Sequence, residues 1–387
     1  MDFSLGPEVE AFRGEARRLF AQHCEFRDGI YQDCRDDEGV LREMGRRGWL
    51  DLEREGSMTW DMKMFVLSEE AERMNVPLKG LAATFIVGFT LSRVGTEEQK
   101  QRILPGIAAG TTRVALGYSE PGAGSDIAGT KVRARRDGDE WVINGQKQWT
   151  SSAEVADYIW LLTRTDPEAK KHAGLTIFLA PIDTPGITIV PIHTIGGQRT
   201  NQVFFDGARI ADSWRVGEVN GGWKVLSTAL VYEHGGGNVP GRSLSGAIAR
   251  ILDLGLAHVR EAGEAACANP DVQEAFGETA IELELTRLLN YRATWIGAQA
   301  EKADIPGAVF KLLGRQGAVF ASERLLELMG PWGLIREGAG GPENPAVSAI
   351  QRQFLATPVG TVAGGSVEIQ RTKIAERGLG LPRPPRG

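Results

Sequence analysis

The stretch GYSEPGAGSDIAG, residues 117–129, contains four glycines, two serines and a proline. Its glycine spacing does not meet the G-x-G-x-x-G/A signature of a dinucleotide-binding helix, because Ile127 stands at the third site and a strand is expected to follow. Two interpretations fit the composition equally well. One is a surface loop that needs positive φ, and the other is a loop that brings backbone N–H groups and the hydroxyls of Ser119 and Ser125 to an anionic or polar ligand.

A second loop lies a short distance along the chain and favours ligand binding. The stretch GQKQWTSS, residues 145–152, places Trp149 beside Thr150 and Ser151 at the end of a strand. An indole is a suitable wall for a flat ring system, and hydroxyl groups beside it can form hydrogen bonds with the edge of that ring. The two loops together indicate a site for such a ring.

The residues around both loops have the pattern of β-strands. In KVRARRDGDEWVINGQKQW, residues 131–149, two alternating runs are joined by Asp-Gly and followed by Asn-Gly, and both dipeptides are hairpin signals. Four later runs are rich in β-branched and aromatic residues: DYIWLLTRTD, LTIFLAPI, GITIVPI and NQVFFDGARI. They predict an antiparallel sheet or barrel over residues 114–217 and not βαβ units.

Both flanking regions are predicted to be helical. In residues 1–113, Gln99 follows Thr96 at the spacing of a capping box. In residues 218–387, three apolar stripes at helical spacing predict a helical bundle with the stripes in its core. The stripes are Leu244, Ile248, Ile251, Leu252, Gly255 and Val259; then Ile281, Leu285, Leu288, Leu289, Trp295 and Ile296; and a third in GAVFKLLGRQGAVFASERLLELMG. The predicted fold class is multi-domain α+β, with an N-terminal all-α domain, a middle antiparallel β domain and a C-terminal four-helix-bundle-like domain.

The bulk composition argues against several classes of protein. The chain has 387 residues, too many for one simple core, and its net charge of −6 gives no electrostatic reason to expect nucleic acid or an anionic membrane as partner. No apolar run approaches the roughly 20 residues that cross a bilayer, so membrane insertion is not expected. The N-terminus lacks the basic start and apolar block of a signal peptide, which predicts a cytoplasmic protein.

Cysteine and histidine usage gives no sign of a metal site. The three cysteines, Cys24, Cys34 and Cys267, form no CxxC motif, and an odd number argues against a disulfide framework. The five histidines are scattered, without an HExxH motif or paired spacing. We therefore predict that the protein holds no metal ion.

The two loops closely resemble the middle domain of acyl-CoA dehydrogenases. That family has a TEPGAGSD-like loop, a G-x-K-x-W-(I/T)-(T/S) loop, and a closing segment like G-(T/G)-S-x-I-Q-R followed by IAER-LGLP. Here the closing segment is GGSVEIQRTKIAERGLGLP, residues 364–382. The helical, β, helical order also matches, so the resemblance covers nearly the whole chain.

The resemblance implies an FAD cofactor, an acyl-CoA substrate, an electron-transfer flavoprotein as electron acceptor, and a homo- or hetero-oligomer that is a dimer or tetramer. It also implies roles for individual residues. Ser125 is expected near the phosphate-bearing arm of the CoA thioester as well as near the flavin. Glu368 has a second interpretation, as an acidic residue that the helix dipole favours in a first turn. The implied FAD-binding residues are Tyr118, Ser119, Gly124, Ser125, Trp149, Thr150, Ser151, Ser366 and Glu368.

The resemblance also raises the question of the catalytic base. Desaturation takes a proton from Cα and a hydride from Cβ, the hydride going to flavin N5, and the proton needs a desolvated carboxylate within reach. Many relatives carry this glutamate just before G-T-S-x-I-Q-R, but counting back from Arg371 gives Gly364. A second branch supplies it shortly after a G-W/F-x-V segment, and counting from Trp223 gives Glu233. We therefore predict Glu233 as the base; the alternative is a surface charge at a helix end.

Three departures from the family pattern qualify these implications. His234 stands where relatives often have an arginine beside the glutamate, and we expect it near the substrate. The R-x-x-F-G segment that reaches FAD phosphates across a subunit interface has no match, though Arg260 could substitute. The vacant position at Gly364 leaves room for a bulkier or α-branched acyl chain. The pattern looks more like a bacterial branch that includes enzymes for steroid side chains, some of which are heteromers.

Two alternative functions remain open at this point. The chain could be a subunit that completes a cofactor pocket for a heteromeric partner without doing chemistry. It could also be a flavin monooxygenase or nitroalkane-oxidase-like enzyme, because a fold does not fix a function. A dehydrogenase should retain FAD that an acyl-CoA bleaches, whereas a non-catalytic subunit should hold little flavin or show no turnover alone. A monooxygenase should consume oxygen and not respond to CoA esters.

Overall fold

The computed structural model describes residues 3–27, 30–34, 37–54, 56–234, 239, 243–299, 303–335 and 344–383. Along these residues the chain forms helices, then a β-sheet, then helices again, which confirms the predicted α+β class. Within the described ranges, no helix combines the length and the apolar character needed to cross a bilayer.

The first region consists of five helices around an apolar core that includes the fully buried Phe20, Phe65 and Phe85. A short antiparallel pair of strands interrupts the helices, a feature that the sequence pattern does not predict. The elements are α1 Pro7–His23, β1 Cys24–Arg27, β2 Ile30–Cys34, α2 Asp37–Arg46, α3 Met58–Arg73, α4 Leu81–Val94 and α5 Glu97–Ala108.

Helix α5 begins with the predicted capping box, and the same residues tie the helix to the sheet. Thr96 Oγ1 accepts a hydrogen bond from the Gln99 backbone N–H (3.2 Å), and Gln99 Oε1 accepts one from the Thr96 N–H (3.1 Å). Gln99 Nε2 also donates to the carbonyl oxygens of Ser213 and Arg215 in the middle region. Because Gln99 is buried, these bonds are shielded from water.

Substitution of each capping-box residue separates these two roles. Thr96→Ala removes one cap bond and should lower the free energy of unfolding by about 1 kcal/mol. Gln99→Ala also removes two bonds to carbonyl groups outside the helix, so its loss should be larger, about 2–3 kcal/mol. Denaturant unfolding of both variants measures the difference. Equal losses would show that the bonds between the helix and the middle region contribute nothing.

The middle region is a sheet of eight strands. Seven of them lie in the order β10-β7-β6-β4-β5-β9-β8, and the eighth, β3, pairs with β6. The β3–β6 ladder and a single β4–β6 pair are parallel, and the other ladders are antiparallel, as predicted. The strands are β3 Val114–Gly117, β4 Arg133–Asp137, β5 Glu140–Gln148, β6 Tyr158–Arg164, β7 Leu175–Pro181, β8 Ile187–His193, β9 Arg199–Ala211 and β10 Arg215–Val216.

One of the two predicted hairpin turns is wrong. The Asp-Gly dipeptide does join β4 to β5, because Asp137 pairs with Glu140. The Asn-Gly dipeptide lies inside β5, where the register with β9 shifts between Ile143 and Gly145. Gly145 has φ 134°, which only glycine adopts without strain. The extra residue lies on β9, where residues 206–207 stand opposite Asn144, so the irregularity is a β-bulge of β9 and not a turn.

The last region is a helical bundle in which α7, α9, α10 and α11 pack on one another. Helix α6 stands apart from this bundle and packs mainly on α4 and β7, so it lies where the three regions meet. The helices are α6 Gly222–His234, α7 Ser245–Glu261, α8 Glu264–Cys267, α9 Pro270–Ala298, α10 Asp304–Leu328, α11 Pro345–Val362 and α12 Val367–Lys373.

The predicted core stripe of α9 is wrong in part. Ile281 is 67% exposed and Leu285 is 38% exposed. The helix instead turns small and polar residues inward, and a Cβ added at Gly314 of α10 would lie 3.0 Å from Thr286 Cγ2. The two helices approach too closely for large side chains between them, so part of the apolar stripe lies on the outer surface. The buried residues of α9 are Ala275, Thr279, Thr286, Asn290, Tyr291, Ala293 and Thr294.

Candidate active site

The structure brings the two predicted loops together at one end of the sheet. The Gln148 backbone N–H donates to the Ser119 carbonyl (2.9 Å). Lys147 Nζ donates to the Tyr118 carbonyl (3.0 Å), so the end of β5 is bonded to the chain that leaves β3. Residues 117–129 and residues 145–152 therefore line one site, as the sequence suggested they should.

A buried ion pair lies beneath these loops. Lys147 is fully buried, and its Nζ lies 2.8 Å from Oε1 of the buried Glu120. The carboxylate also accepts hydrogen bonds from the backbone N–H groups of Lys131 (2.7 Å) and Val132 (3.0 Å). Burial lowers the pKa of Lys147 to about 8, although the charge of Glu120 acts in the opposite direction. This ion pair is not predicted from the sequence, where the signal for it is a lysine at an inward position of a strand.

The Lys147 ammonium gives stability a pH dependence of defined sign. An unfolded lysine titrates near 10.5 and the folded Lys147 near 8, so the unfolded chain binds more protons between these values. The contribution of this group to the free energy of unfolding should therefore rise with pH over that interval. Comparison with the double variant Lys147→Met/Glu120→Gln by denaturant unfolding at several pH values isolates the contribution. If the difference in the free energy of unfolding between wild type and the double variant fell as pH rises, the predicted pH dependence would be contradicted.

The second loop holds an indole open to solvent. Trp149 has φ 63° and is 56% exposed, an unusual conformation and exposure for a tryptophan. The next residue fixes the loop, because the Thr150 N–H donates to the Asn201 carbonyl (3.0 Å) and Asn201 Nδ2 donates to the Thr150 carbonyl (2.9 Å). The buried Thr150 Oγ1 has no partner among the described residues. Ser151 Oγ lies 3.3 Å from Thr200 Oγ1.

The glycine-rich loop leaves open space beside these groups. Gly124 and Ser125 are exposed, and a Cβ added at Gly122 or Gly124 would meet no heavy atom within 4 Å. Ser119 is half-buried at the start of the loop. The site therefore offers one exposed aromatic face, an unpartnered hydroxyl and an accessible glycine backbone, which suits a flat ring with a polar edge.

Tyr118 connects this site with Glu233. Its side chain is buried and its hydroxyl has no partner among the described residues. Burial raises the pKa of Tyr118 well above the usual value, and the negative charge of Glu233 raises it further. Glu233 is half-buried in the last turn of α6, so its carboxylate lies within electrostatic reach of the loops. The side chain of His234 lies outside the described residues.

A cleft of about 510 Å³ runs along the face of α6 that carries Lys224, Ser227 and Val231. Two cations, Arg93 and Lys224, stand among its walls, and the guanidinium of Arg93 lies over the ring of Tyr232 at 4.9 Å. The sequence analysis missed this cleft, although polar residues at helical spacing in an otherwise apolar helix were a signal for it. The lining residues are Arg93, Lys224, Ser227, Thr228, Val231 and Tyr232.

The closing segment forms a turn that α10 holds in place. Gly364 and Gly365 have φ 61° and 85°, and Arg315 donates from Nη2 to the Ala363 carbonyl and from Nη1 to the Gly365 carbonyl, both at 2.7 Å. Ser366 then caps α12, since its Oγ accepts a bond from the Ile369 N–H.

Glu368 lies in the first turn of α12 and is exposed. A hydrogen bond from its own backbone N–H is the main cause of its lowered pKa, and Ser366 adds to the effect. Among the described residues, no hydrogen bond joins Glu368 or Ser366 to the two loops of the sheet. The helix-start interpretation of Glu368 is consistent with these contacts, and its approach to a cofactor stays a prediction.

Comparison with known proteins identifies the family. Models of the three acyl-CoA dehydrogenase domains match the chain: the N-terminal domain over residues 6–111, the middle domain over residues 115–208 and the C-terminal domain over residues 220–379. The chain belongs to the acyl-CoA dehydrogenase family. Acyl-CoA dehydrogenase FadE26 of Mycobacterium tuberculosis is 32% identical over 403 residues, and the match covers 99% of each chain.

Two solved structures are similar over nearly their whole length. The Tcur3481-Tcur3483 steroid ACAD is 33% identical with a TM-score of 0.84, and the match covers 99% of this chain and 100% of that one. The ChsE4-ChsE5 complex from Mycobacterium tuberculosis is 30% identical with a TM-score of 0.85, with the same coverage. These similarities confirm the resemblance on which the site predictions depend.

Acyl-CoA dehydrogenases are FAD-dependent oxidoreductases, and the loops of this chain fit that cofactor. The exposed indole of Trp149 offers a face for the isoalloxazine ring. The unpartnered Thr150 hydroxyl and the open space at Gly124 leave hydrogen-bonding capacity and room at the same place. Within the described ranges, no group of three or more His, Cys, Asp or Glu side chains is arranged to hold a metal ion.

Proposed function

We propose that this chain is an FAD-dependent dehydrogenase that desaturates the Cα–Cβ bond of an acyl-CoA thioester, with Glu233 as its base. The proposal depends above all on the electrostatic link between Glu233 and Tyr118. Tyr118 directly follows β3, where the cofactor loop begins, so the negative charge of Glu233 acts on the start of that loop.

The reaction needs a proton acceptor at Cα and a hydride acceptor at Cβ. FAD, when bound, supplies the hydride acceptor at its N5 atom. The chain itself would hold the ring through Trp149, Thr150 and Ser151 and direct the Glu233 carboxylate at the acidic hydrogen. Glu233 is half-buried, so part of the bulk water is excluded from around its side chain. Further cofactor contacts are proposed for Tyr118, Ser119, Gly124, Ser125, Ser366 and Glu368.

The cleft along α6 is proposed to take the CoA arm. Arg93 and Lys224 supply positive charge for its phosphates, while the exposed Val231 supplies apolar surface for the pantetheine chain. Ser125 and His234 are proposed as further substrate contacts.

The acyl group is proposed to be bulky or α-branched, such as a steroid side chain. Gly364 stands where many relatives have a glutamate, and its left-handed φ suits a residue without a side chain. Similar solved structures include one that is a steroid ACAD. We propose that the space beside this turn accommodates the extra carbon atoms of the substrate.

Assembly into an oligomer is supported by the similar solved structures, which are named as pairs of different chains. Whether this chain pairs with itself or with another subunit, and whether it passes electrons to an electron-transfer flavoprotein, are proposals. Arg260, exposed at the end of α7, is the proposed substitute for the missing R-x-x-F-G arginine. The proposed domains are residues 1–113, 114–217 and 218–387.

A panel of CoA esters, from butyryl-CoA to steroid side-chain thioesters, tests the function. The purified protein should contain FAD, and at least one bulky ester should bleach its absorbance under anaerobic conditions. A second candidate, a subunit that completes a pocket without doing chemistry, is favoured by the paired assemblies of the similar structures. It predicts little flavin or no bleaching by the chain alone, and bleaching once the chain is co-expressed with its partner subunit. Oxygen consumption without response to CoA esters would indicate a monooxygenase instead.

A further inference from the structure

Helix α10 carries two buried cations on one face. Lys311 is 6% exposed and Arg315 is 9% exposed, and residues four positions apart lie one above the other on a helix. Lys311 Nζ donates to the backbone carbonyl of Glu233, and Arg315 donates to the carbonyls on both sides of Gly364. One helix face therefore holds both positions from which acyl-CoA dehydrogenases take their base.

The contact of Lys311 is made at the point where α6 ends. The last four carbonyl groups of a helix have no partner within it, and they form the negative end of the helix dipole. A buried ammonium satisfies one of these carbonyls and places positive charge at that end. Burial of an unpaired ammonium group is unfavourable, and the bond to the Glu233 carbonyl offsets part of that free-energy cost. A methionine at position 311 would not carry this cost.

The opposite side of the same turn is also fixed. The ring of Tyr232, which precedes Glu233, stacks on Phe89 of α4 with centroids 5.0 Å apart and an interplanar angle of 28°. The guanidinium of Arg93 covers that ring at 4.9 Å. Contacts from α4 and α10 thus hold the last turn of α6 between them, and the α10 contact is made to the backbone of Glu233 itself.

We propose that Lys311 is a positioning residue for Glu233, fixing the backbone from which the carboxylate reaches the substrate. The inference rests on the proposed role of Glu233 as the base. Proton transfer requires the base within hydrogen-bonding distance of the proton, and a displacement of about 1 Å can lower a rate about 10²-fold. Without the Lys311 bond the end of α6 loses a fixed point, and the carboxylate samples positions away from Cα.

Lys311→Met tests the proposal, because it keeps the length of the side chain and removes the donor and the charge. We expect kcat to fall about 10- to 100-fold while KM changes less than about threefold, since no residue that lines the cleft proposed for the CoA arm is substituted. The kinetic isotope effect with a substrate deuterated at Cα should increase, because proton removal becomes slower. Hydrogen exchange of the amides in the last turn of α6 should become faster.

Arg315→Met is the matched control for hydrogen exchange. It removes a buried cation from the same face of α10 whose bonds go to the turn at Gly364, so it should leave exchange in the last turn of α6 unchanged. If Lys311→Met does not fold, Lys311→Arg keeps the charge and donor and should recover most of kcat, whereas Lys311→Gln should recover less.

The failure of this inference can be told from the failure of the proposed function. If Glu233→Gln is inactive but Lys311→Met keeps the wild-type kcat, isotope effect and hydrogen exchange, the positioning role of Lys311 is refuted alone. If Glu233→Gln turns over normally, the proposed base is refuted, and the hydrogen-exchange result then decides only whether Lys311 holds the helix end.

Discussion

Glu233→Gln should lower kcat by about 10²- to 10⁴-fold, the contribution expected of a well-placed general base. The amide has nearly the shape of the carboxylate but cannot accept the Cα proton. FAD content and the affinity for a CoA thioester should stay close to wild type, because neither the loops at Trp149 nor the cleft at Lys224 is altered. Steady-state kinetics and flavin absorbance with the best ester of the panel measure both quantities.

A second helix-end glutamate supplies the control. Glu261 ends α7 and is exposed, so Glu261→Gln should retain full turnover. If Glu233 were only a surface charge at the end of a helix, Glu233→Gln would retain turnover as Glu261→Gln does. If Glu233→Gln and Glu261→Gln both retained activity, the base would have to come from elsewhere, for example from a partner subunit.

Lys147→Met should remove FAD binding and destabilise the fold by about 3–5 kcal/mol, since it leaves the buried Glu120 charge without its partner. The same substitution removes the bond from Nζ to the Tyr118 carbonyl, which joins the two cofactor loops. The loss is comparable with the total stability of many proteins, so a low yield of folded protein is part of the expected result. Denaturant unfolding and the FAD content of the purified variant are the measurements.

Two companion variants show whether the charge pair is responsible. Lys147→Met/Glu120→Gln removes both charges and should be more stable than Lys147→Met alone, because no isolated buried charge remains. Lys131→Met replaces a nearby exposed lysine whose backbone N–H still binds Glu120, and it should behave like wild type. A single variant no less stable than the double variant would contradict the coupling of the two charges.

The fold and the location of the cofactor loops could be predicted because their signals are local in sequence. Strand alternation, the capping box at Thr96 and the closing motif each occupy a few consecutive residues. Glu233 is predicted as the base by counting from Trp223, and its negative charge acts on Tyr118 at the start of the glycine-rich loop. The assignment of its chemistry still depends on the kinetic test.

The features that escaped prediction depend on residues far apart in the chain. Lys147 and Glu120 are 27 positions apart, and Lys311 and Glu233 are 78 apart. Only the packing of strands and helices brings such pairs together. The bulge opposite Asn144 escaped because Asn-Gly is also a turn signal, and the choice between the two depends on the length of the partner strand. The outward stripe of α9 escaped because periodicity cannot tell which face of a helix meets a close neighbour.

The exposed indole of Trp149 has a consequence for laboratory work on this enzyme. Its ring is more than half accessible, and Asn201 holds the adjoining backbone, so the fluorophore sits in a defined position at the mouth of the pocket. An isoalloxazine ring lying against it would quench its emission by energy transfer. Because the chain has nine tryptophans, the difference in emission between wild type and Trp149→Phe isolates this ring and reports cofactor loading in real time, without any dye or label.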